Sequence, residues 1–260
     1  DGWSSKEYEG GKVRLGHSLL SITDLDRGQE KQPLDGERLT ISFNGEIYNY
    51  RALKDRLLSA GISVSGDTDT AVLAAGLETF GFEFLEQVVG CWAIVAFDHK
   101  AKKLYFCRDH YGEKQLVFRF DHGKELVVAS EVKAIAALSK KSVTASIERL
   151  RSDLIFDFFA SRRTTYFDGV ENAAPGTLYC VDLSTFTLQT SQLTNPARIH
   201  QPFQDLRGSL IAATCDMVPG YREFGIVLSG GLDSRILACI FSERQTRPTT
   251  ALTIRYKGTE

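Results

Sequence analysis

Short apolar runs separated by turn-forming residues fill about the first 190 residues, a pattern typical of β-hairpins. The chain is interpreted as beginning within a loop, upstream of these runs. Three hairpins are predicted, with strands at 92–97 and 104–107, at 116–120 and 126–129, and at 177–181 and 186–190.

Apolar residues at helical spacing predict four helices among these hairpins. In the first, Leu53, Leu57 and Leu58 form a narrow apolar stripe, and Gly61 is expected to end the helix. The others are predicted over 70–80, 131–138 and 147–159. Hairpins with helices grouped between them indicate antiparallel sheets covered by helices, an α+β architecture.

The pattern changes after residue 192. Residues 194–202 are mostly polar and contain two prolines, which is typical of a linker. A helix, a strand ending at Leu228, a second helix and a further strand are predicted beyond it, an order typical of a parallel α/β sheet. The chain is therefore divided into a domain over 1–192, a linker over 193–203 and the beginning of a second domain over 204–260.

Charge and composition exclude several classes of protein. The formal net charge of the 260 residues is −2, which provides no field to recruit nucleic acid or an acidic membrane surface. No apolar run reaches the roughly 18 residues expected of a membrane-spanning helix, and the polar N-terminus does not resemble a signal peptide. We expect a cytoplasmic protein with neither nucleic acid nor membrane as a partner.

Cysteine and histidine spacing points to no disulfide framework and no zinc site. The histidines lack the spacing of metal ligands. The cysteines form no C-x-x-C pair, and their odd number favours reduced thiols. These five cysteines are Cys91, Cys107, Cys180, Cys215 and Cys239.

The segment 229–234, Ser-Gly-Gly-Leu-Asp-Ser, carries the chemistry of a phosphate site. It joins a predicted strand to a predicted helix, so two glycines and the helix N-terminus would present backbone N–H groups to an anion. Asp233 adds a carboxylate suited to Mg²⁺, and Ser229 and Ser234 add hydroxyl groups. The segment lacks the lysine of an ordinary P-loop. An ordinary strand–helix turn rich in small residues is the alternative.

A second motif, Asn44-Gly45-Glu46, follows the predicted strand 39–43. An amide side chain beside a glycine N–H provides two donors for one carbonyl oxygen, the requirement of an oxyanion hole. Glu46 is suited to an ammonium group. The alternative is an Asn-Gly hairpin turn without further function.

The order and spacing of several motifs resemble the class II glutamine amidotransferase domain of asparagine synthetases. The phosphate segment then falls where the synthetase domain of that family begins. The motifs in the first domain are 15–17 with 20–22, 44–50, 67–70, 89–93, 108–112 and 129–134.

This resemblance implies a fold and a set of site residues. The fold is an α+β, N-terminal nucleophile hydrolase-type domain with αββα layers, followed by the beginning of an α/β ATP pyrophosphatase domain. Asn44 and Gly45 would form the oxyanion hole of glutamine hydrolysis, and Glu46 and Asp69 would bind the glutamine ammonium. The ATP site would comprise Leu228, Ser229, Gly230, Gly231, Leu232, Asp233, Ser234 and Ile254, with Asp233 on Mg²⁺ and the two strand-end residues against adenosine.

Two residues have structural alternatives beside these roles. Asp69 is also interpreted as the N-cap of the helix beginning near Thr70. Arg108 and Asp109 are interpreted as a structural ion pair without a catalytic role.

The chain departs from the family at three points. The family nucleophile is an N-terminal cysteine, whereas this chain begins with Asp1; we expect a fragment whose nucleophile lies upstream and which is inactive by itself. Leu19 replaces the arginine that binds the glutamine carboxylate, with Arg14 or Arg27 as candidate substitutes. Arg235 follows the phosphate segment, either as a solvated residue or as a phosphate ligand.

The resemblance implies an amide ligase. ATP would adenylate a carboxylate, aspartate by default, and ammonia from glutamine would displace AMP. A relative with another acceptor (a lasso-peptide cyclase, a β-lactam synthetase or a glycan-assembly homologue) and a non-catalytic scaffold are the alternatives. The predicted ligands are glutamine, ATP, Mg²⁺ and the acceptor carboxylate, and a homodimer is compatible with the family.

Overall fold

A computed structural model of the chain describes residues 2–19, 31–156, 163–194, 205–218, 224–244 and 248–254. The chain separates into two compact units, Asp1–Asn195 and Pro196–Glu260. Most of the predicted linker 193–203, and the motif 20–22, lie outside the described residues.

An antiparallel six-stranded sheet forms the centre of the first unit, in the order β11-β10-β6-β5-β4-β3. Two of the hairpins predicted from the sequence supply four of its strands. The strands are β3 (Leu34–Asp35), β4 (Leu39–Ile47), β5 (Gly90–Asp98), β6 (Lys103–Arg108), β10 (Thr177–Asp182) and β11 (Thr187–Gln192).

Two helices cover one face of this sheet, α1 (Tyr50–Ser59) and α2 (Asp69–Phe80). Leu53 and Leu57 of α1 are buried against the sheet, together with apolar residues of α2. The prediction that Leu58 joins this stripe is wrong, since its side chain is 51% exposed. One residue corresponds to about 100° of helix rotation, which turns Leu58 away from the face occupied by Leu57.

A second β layer covers the other face. It consists of a two-stranded sheet and a three-stranded sheet in the order β8-β7-β9. Side chains from both sheets pack against the six-stranded sheet in one apolar cluster, including Leu15 and Phe118. The strands are β1 (Gly2–Tyr8), β2 (Val13–Leu19), β7 (Val117–Asp121), β8 (Glu125–Ala129) and β9 (Glu171–Asn172).

The prediction of a loop at the start of the chain is therefore wrong. Residues Gly2–Tyr8 pair in full antiparallel register with Val13–Leu19. The segment contains mostly polar residues without β-branched apolar ones, so its strand conformation depends on this pairing and not on local propensity.

Helix α3 (Val132–Leu138) packs on the outside of the second β layer through Ile135, which contacts Val117 and Val170. The first unit thus has helix, sheet, sheet and helix layers, which confirms the predicted αββα fold class for this domain. Helix α4 (Ile147–Phe156) follows α3, and residues 157–159 of its predicted extent lie outside the described residues.

The second unit contains two helices and two short strands. The strands β12 (Gly225–Val227) and β13 (Thr250–Leu252) pair in parallel, as expected for a βαβ arrangement. The helices are α5 (Leu206–Asp216), before β12, and α6 (Leu232–Glu243), between the two strands. Strand β13 ends at Leu252, and residues 253 and 254 follow it outside the strand.

Candidate functional site

Asn44 and Glu46 lie at the end of β4, on the face of the six-stranded sheet that meets the second β layer. Alternate residues of a strand share a face, and Ile41, Phe43 and Ile47 point into the helix-covered core. Asn44 pairs across the sheet with Ala93, and Glu46 pairs with Cys91. The Asn44 side chain is exposed and forms no hydrogen bond with any residue in the described ranges, so its amide is available to a ligand.

Two glycines allow the backbones of β4 and β5 to approach each other beside this motif. A Cβ on Gly45 would lie 2.6 Å from the Cα of Trp92 and closer still to the carbonyl oxygen of Cys91. A Cβ on Gly90 would overlap the carbonyl oxygen of Glu46. Glycine at 45 is therefore required by packing, and the simple hairpin-turn alternative is wrong because Asn44 and Gly45 are paired strand residues.

Asp69 lies beneath the end of β4 and is only 5% exposed. One carboxylate oxygen accepts a hydrogen bond from the backbone N–H of Ile47 at 3.0 Å, and the other accepts from that of Thr70 at 2.7 Å. Desolvation by burial raises the pKa of this carboxyl above its ordinary value, although these hydrogen bonds oppose the shift.

The interpretation of Asp69 as a helix N-cap is wrong. The N-cap of α2 is Thr68, whose hydroxyl accepts a hydrogen bond from the backbone N–H of Ala71 at 3.1 Å, and Asp69 is the first helical residue. The exposed carboxylate of this segment is Asp67, which forms an ion pair with Lys54 at 2.6 Å. The family resemblance assigned Asp69 and not Asp67 to the site, but the burial of Asp69 depends on the packing of α2 against β4.

A polar cluster adjoins Glu46 that the sequence motifs did not reveal. The Tyr48 hydroxyl donates a hydrogen bond to the Cys91 sulfur at 3.3 Å. Burial, followed by the contact with Cys91, raises the pKa of the Tyr48 hydroxyl, and the carboxylates of Glu113 and Glu46 add to the shift. The members of this cluster are far apart in the chain, and the pairing of β4 with β5 brings them together, because Cys91 is the direct cross-strand partner of Glu46.

His17 of β2 faces the same region, with its Nδ1 3.1 Å from the hydroxyl of Ser42. Burial lowers the pKa of its imidazole. Arg14 does not substitute for a carboxylate-binding arginine at this face. It lies between the buried residues Val13 and Leu15, so it points away from the second β-layer core, and it pairs with Glu7 at 2.9 Å. Arg27 and the Leu19 side chain lie outside the described residues.

The predicted ion pair between Arg108 and Asp109 is wrong, since the described residues contain no such pair. The Asp109 carboxylate accepts backbone hydrogen bonds from Trp92 at 3.3 Å and from three residues of the following turn, at 3.0–3.1 Å. Arg108 instead donates to the carbonyl oxygens of Gly112 and Lys114. Both residues hold the turn after β6, which agrees with a structural role.

The phosphate segment joins β12 to α6 as the sequence predicts. Gly230 has a φ of 82°, a conformation that favours glycine, and Gly231 is the N-cap of α6. The Ser229 hydroxyl accepts a hydrogen bond from the backbone N–H of Gly231 at 3.3 Å and lies 3.3 Å from the Ser234 hydroxyl. The turn therefore places two hydroxyl groups at the N-terminus of a helix, an arrangement suited to an anion.

The other residues predicted for the nucleotide site lie at the same strand ends. Leu228 donates its backbone N–H to the carbonyl oxygen of Leu252 at 2.8 Å, and Ile254, 70% exposed, follows that strand. Asp233 is exposed in the first turn of α6. Arg235 donates from Nε to the carbonyl oxygen of Gly231 at 3.2 Å, so it holds the turn itself and is not simply solvated.

A dedicated metal cage is absent from the part of the chain that the structure describes, where no three acidic, histidine or cysteine side chains are grouped to hold an ion. Asp233 by itself fits the usual magnesium arrangement, in which one or two carboxylates and the substrate phosphates share the ion. No helix within the described ranges is long and apolar enough to cross a membrane.

Comparison with known proteins identifies related sequences. The family model for the glutamine amidotransferase domain matches residues 3–192. Asparagine synthetase [glutamine-hydrolyzing] 2 of Bacillus subtilis is 27% identical over 253 residues, covering 90% of this chain and 33% of the relative. Asparagine synthetase B [glutamine-hydrolyzing] of Escherichia coli is 28% identical over 242 residues, covering 92% of this chain and 39% of the relative. The chain thus spans 33% to 39% of the length of these curated relatives.

Among solved structures, the chain is similar to a glutamine phosphoribosylpyrophosphate amidotransferase from B. subtilis complexed with ADP and GMP. The identity is 16% and the TM-score is 0.49, with 94% of this chain and 51% of that chain covered.

Proposed function

The chain belongs to the glutamine amidotransferase domain family, and on that premise we propose that its first unit binds glutamine at the end of β4 and releases ammonia from it. The observation that carries this proposal is the exposed, uncommitted amide of Asn44 beside Gly45 and Glu46 on one paired strand. A strand end fixed by pairing with β5 holds such donors more firmly than a free turn does.

Asn44 and Gly45 would stabilise the oxyanion that forms when the glutamine side-chain amide is attacked. The Asn44 side-chain N–H and a backbone N–H of this motif are preorganised donors, since β5 fixes the strand that bears them. A cysteine nucleophile is the family's group for this attack. Cys107 is unsuited to that role because burial raises the pKa of its thiol and removes it from substrate.

Glu46 would bind the glutamine α-ammonium with its carboxylate, on the same face as Asn44. We assign Asp69 first to positioning, because both its oxygens already accept backbone hydrogen bonds below the strand end. Its direct contact with the glutamine ammonium stays a prediction.

The second unit would bind ATP and adenylate a carboxylate, aspartate by default. The turn of Ser229 to Ser234 and the strand ends at Leu228 and Ile254 support this, because ligands of parallel sheets bind beyond the carboxyl ends of the strands. Asp233 would share Mg²⁺ with the phosphates. Ammonia from glutamine would then displace AMP from the acyl-adenylate, as in an asparagine synthetase-like ligase.

Steady-state kinetics of glutamine hydrolysis by the full-length protein test the first part. Asn44→Ala is expected to lower kcat by about 100- to 1,000-fold with little change in KM, the usual loss for one oxyanion-hole donor. Glu46→Gln should chiefly raise KM, and Glu83→Gln, an exposed carboxylate away from β4, should match the unaltered protein. Retention of the full rate by Asn44→Ala would disprove the assignment.

Exchange of labelled pyrophosphate into ATP tests the second part separately. Exchange that requires aspartate, and that Asp233→Asn abolishes, is expected. Asp216→Asn, an exposed carboxylate at the end of α5, is the matched control. Exchange supported by another carboxylate but not by aspartate would reassign the acceptor and leave the glutamine proposal intact.

A further inference from the structure

A cavity of about 490 Å³ lies in the first unit, next to the Asn44 motif, since Asn44 and the cavity residue Arg108 both pair with Ala93. Its walls come from the turn after β6, from α3 and α4, and from residues 164–175. Neither Asn44, Gly45 nor Glu46 lines it, so it is not the glutamine site proposed above. The residues that decide its chemistry are Arg108, Arg149, Glu113, Val132, Phe167 and Pro175.

Arg108 places a buried guanidinium in this wall. The residue is 8% exposed, and its Nη1 donates to the carbonyl oxygens of Gly112 at 3.2 Å and Lys114 at 3.4 Å. Its buried Nε–H has no acceptor among the described residues. Asp109, the adjacent carboxylate, is occupied by four backbone N–H groups and forms no ion pair with Arg108. A buried cation without a hydrogen-bonded anion is costly, so an anionic ligand here would be stabilised.

The turn after β6 is built around this guanidinium. Gly112 has a φ of 70°, and a Cβ there would lie 2.8 Å from Pro175 and 3.0 Å from Cζ of Arg108. Glycine therefore lets the turn close on the guanidinium plane and fixes its orientation. A fixed planar guanidinium is suited to the planar carboxylate group.

Arg149 contributes a second guanidinium whose charge is largely balanced. The residue is 6% exposed, and its Nη2 lies 3.3 Å from the Asp153 carboxylate. Its Nη1 donates to the Thr164 hydroxyl at 3.3 Å, and the guanidinium lies over the Tyr166 ring at 5.6 Å. Arg149 thus shapes the wall with a paired guanidinium, whereas the Arg108 guanidinium interacts with Asp109 through space and has no hydrogen-bonded anion among the described residues.

The remaining lining limits the charge and shape of a ligand. Glu113 is an exposed carboxylate and opposes an anion carrying several charges. Val132, Phe167 and Pro175 provide apolar surface for the body of a ligand.

We propose that this cavity binds a small organic monocarboxylate with an apolar or aromatic body, whose carboxylate pairs with the guanidinium group of Arg108. The binding is independent of glutamine hydrolysis and of ATP. The site therefore adds a second small-molecule function to the amidotransferase domain.

Isothermal titration of the 260-residue chain with phenylacetate tests this. Phenylacetate is expected to bind. Arg108→Gln should lower its affinity about tenfold or more, which corresponds to the loss of one charge-assisted hydrogen bond. Arg151→Gln removes an exposed arginine from the same chain segment as Arg149 and should leave binding unchanged. Phenylacetamide, which lacks the charge, and inorganic phosphate, which carries more of it, should both bind at least about tenfold more weakly.

Val132→Phe provides a test that keeps both guanidiniums and reduces the cavity volume. It should abolish phenylacetate binding while glutamine hydrolysis by the full-length protein continues. This variant therefore tests the proposed binding even if Arg108→Gln fails to fold. The proposal is overturned if phenylacetate does not bind, if phenylacetamide or phosphate binds equally well, or if a folded Val132→Phe variant binds phenylacetate normally.

Discussion

The carboxylate of Asp69 accepts a hydrogen bond from the backbone N–H of Ile47 at 3.0 Å, 22 residues earlier in the chain. This contact joins the first turn of α2 to the end of β4, directly beyond Glu46. The same carboxylate binds the N–H of Thr70, so a single side chain connects the strand that bears the candidate oxyanion hole to the helix that covers it.

Removal of the Asp69 carboxylate should destabilise the first unit. Asp69→Ala is expected to lower the free energy of unfolding by about 2 kcal/mol at neutral pH, because it leaves the buried Ile47 N–H without an acceptor. Urea denaturation followed by tryptophan fluorescence measures this, since both tryptophans, Trp3 and Trp92, lie in the first unit. Asp67→Ala, which removes only the exposed ion pair with Lys54, should cost about 0.5 kcal/mol or less. Equal effects of the two changes would contradict the role given to Asp69.

The raised pKa of Asp69 predicts that this carboxyl group contributes less to the stability of the fold as the pH rises. The folded protein holds the Asp69 proton more tightly than the unfolded chain does. Stability relative to Asp69→Asn should therefore fall as the pH rises from about 3.8 through the raised folded pKa, and then stay constant. Urea midpoints of the two proteins across this range measure the difference. A difference that grows in favour of the unaltered protein with rising pH would refute the assigned burial.

Gly45 should tolerate no side chain. Gly45→Ala places a Cβ 2.6 Å from the Cα of Trp92, so β4 and β5 must separate, and we expect a loss of about 3 kcal/mol in the free energy of unfolding. Gly61, at the end of α1, has a φ of 77° and open space around it, so Gly61→Ala should cost only about 1–2 kcal/mol, the strain of a left-handed conformation. Similar urea midpoints for the two variants would show that close strand approach is not the reason for glycine at 45.

Asp109 should be among the most sensitive polar residues of the first unit. Asp109→Asn replaces one of two oxygens that each accept two backbone hydrogen bonds, and the introduced amide nitrogen cannot accept. We expect a loss of about 3 kcal/mol. Asp121→Asn, which disrupts an exposed ion pair with Lys141, should leave the free energy of unfolding close to that of the unaltered protein. Chemical denaturation measures both variants, and a negligible effect of Asp109→Asn would contradict the hydrogen-bond pattern of this turn.

His17 should make the fold sensitive to mild acid. Burial lowers its pKa below the ordinary 6.5, so the folded state disfavours the charged imidazole. Its stabilising contribution is present above pH 6.5 and is lost as the pH falls toward the lowered folded pKa. His17→Gln should remove this dependence, as measured by urea midpoints between about pH 5 and 7. Nuclear magnetic resonance titration of the imidazole should give a midpoint below 6.5; a midpoint at or above that value would contradict its burial.

The prediction of the fold succeeded where local pattern and tertiary packing agree. The hairpin of β5 with β6 follows from apolar residues that are buried on both faces of the sheet, whereas β11, which pairs with β10 at the sheet edge, is mostly exposed. The end of α2 at Gly81 follows from a glycine at positive φ. Strand β1 was missed because its polar segment becomes a strand only through pairing with β2.

The candidate site residues also divide into those that contiguous motifs predict and those that depend on tertiary packing. Motif spacing identified Asn44, Gly45 and the segment 229–234 because each motif is contiguous in the chain. The resemblance singled out Asp69, but the difference in burial between Asp67 and Asp69 required the tertiary structure, since it comes from the packing of α2 against β4.

The amino-acid sequence by itself determined the class of the first domain, most of its hairpins and helices and the two contiguous motifs, because these depend on residue type at short spacing. Tertiary structure alone decided which face of β4 bears Asn44 and Glu46, and that Tyr48 meets Cys91. It also decided that Arg108 and Arg149, 41 positions apart in the chain, line one cavity. The physical reason is that burial, the loss of solvation and the pairing of charges depend on neighbours brought together by long-range packing, which no local pattern specifies.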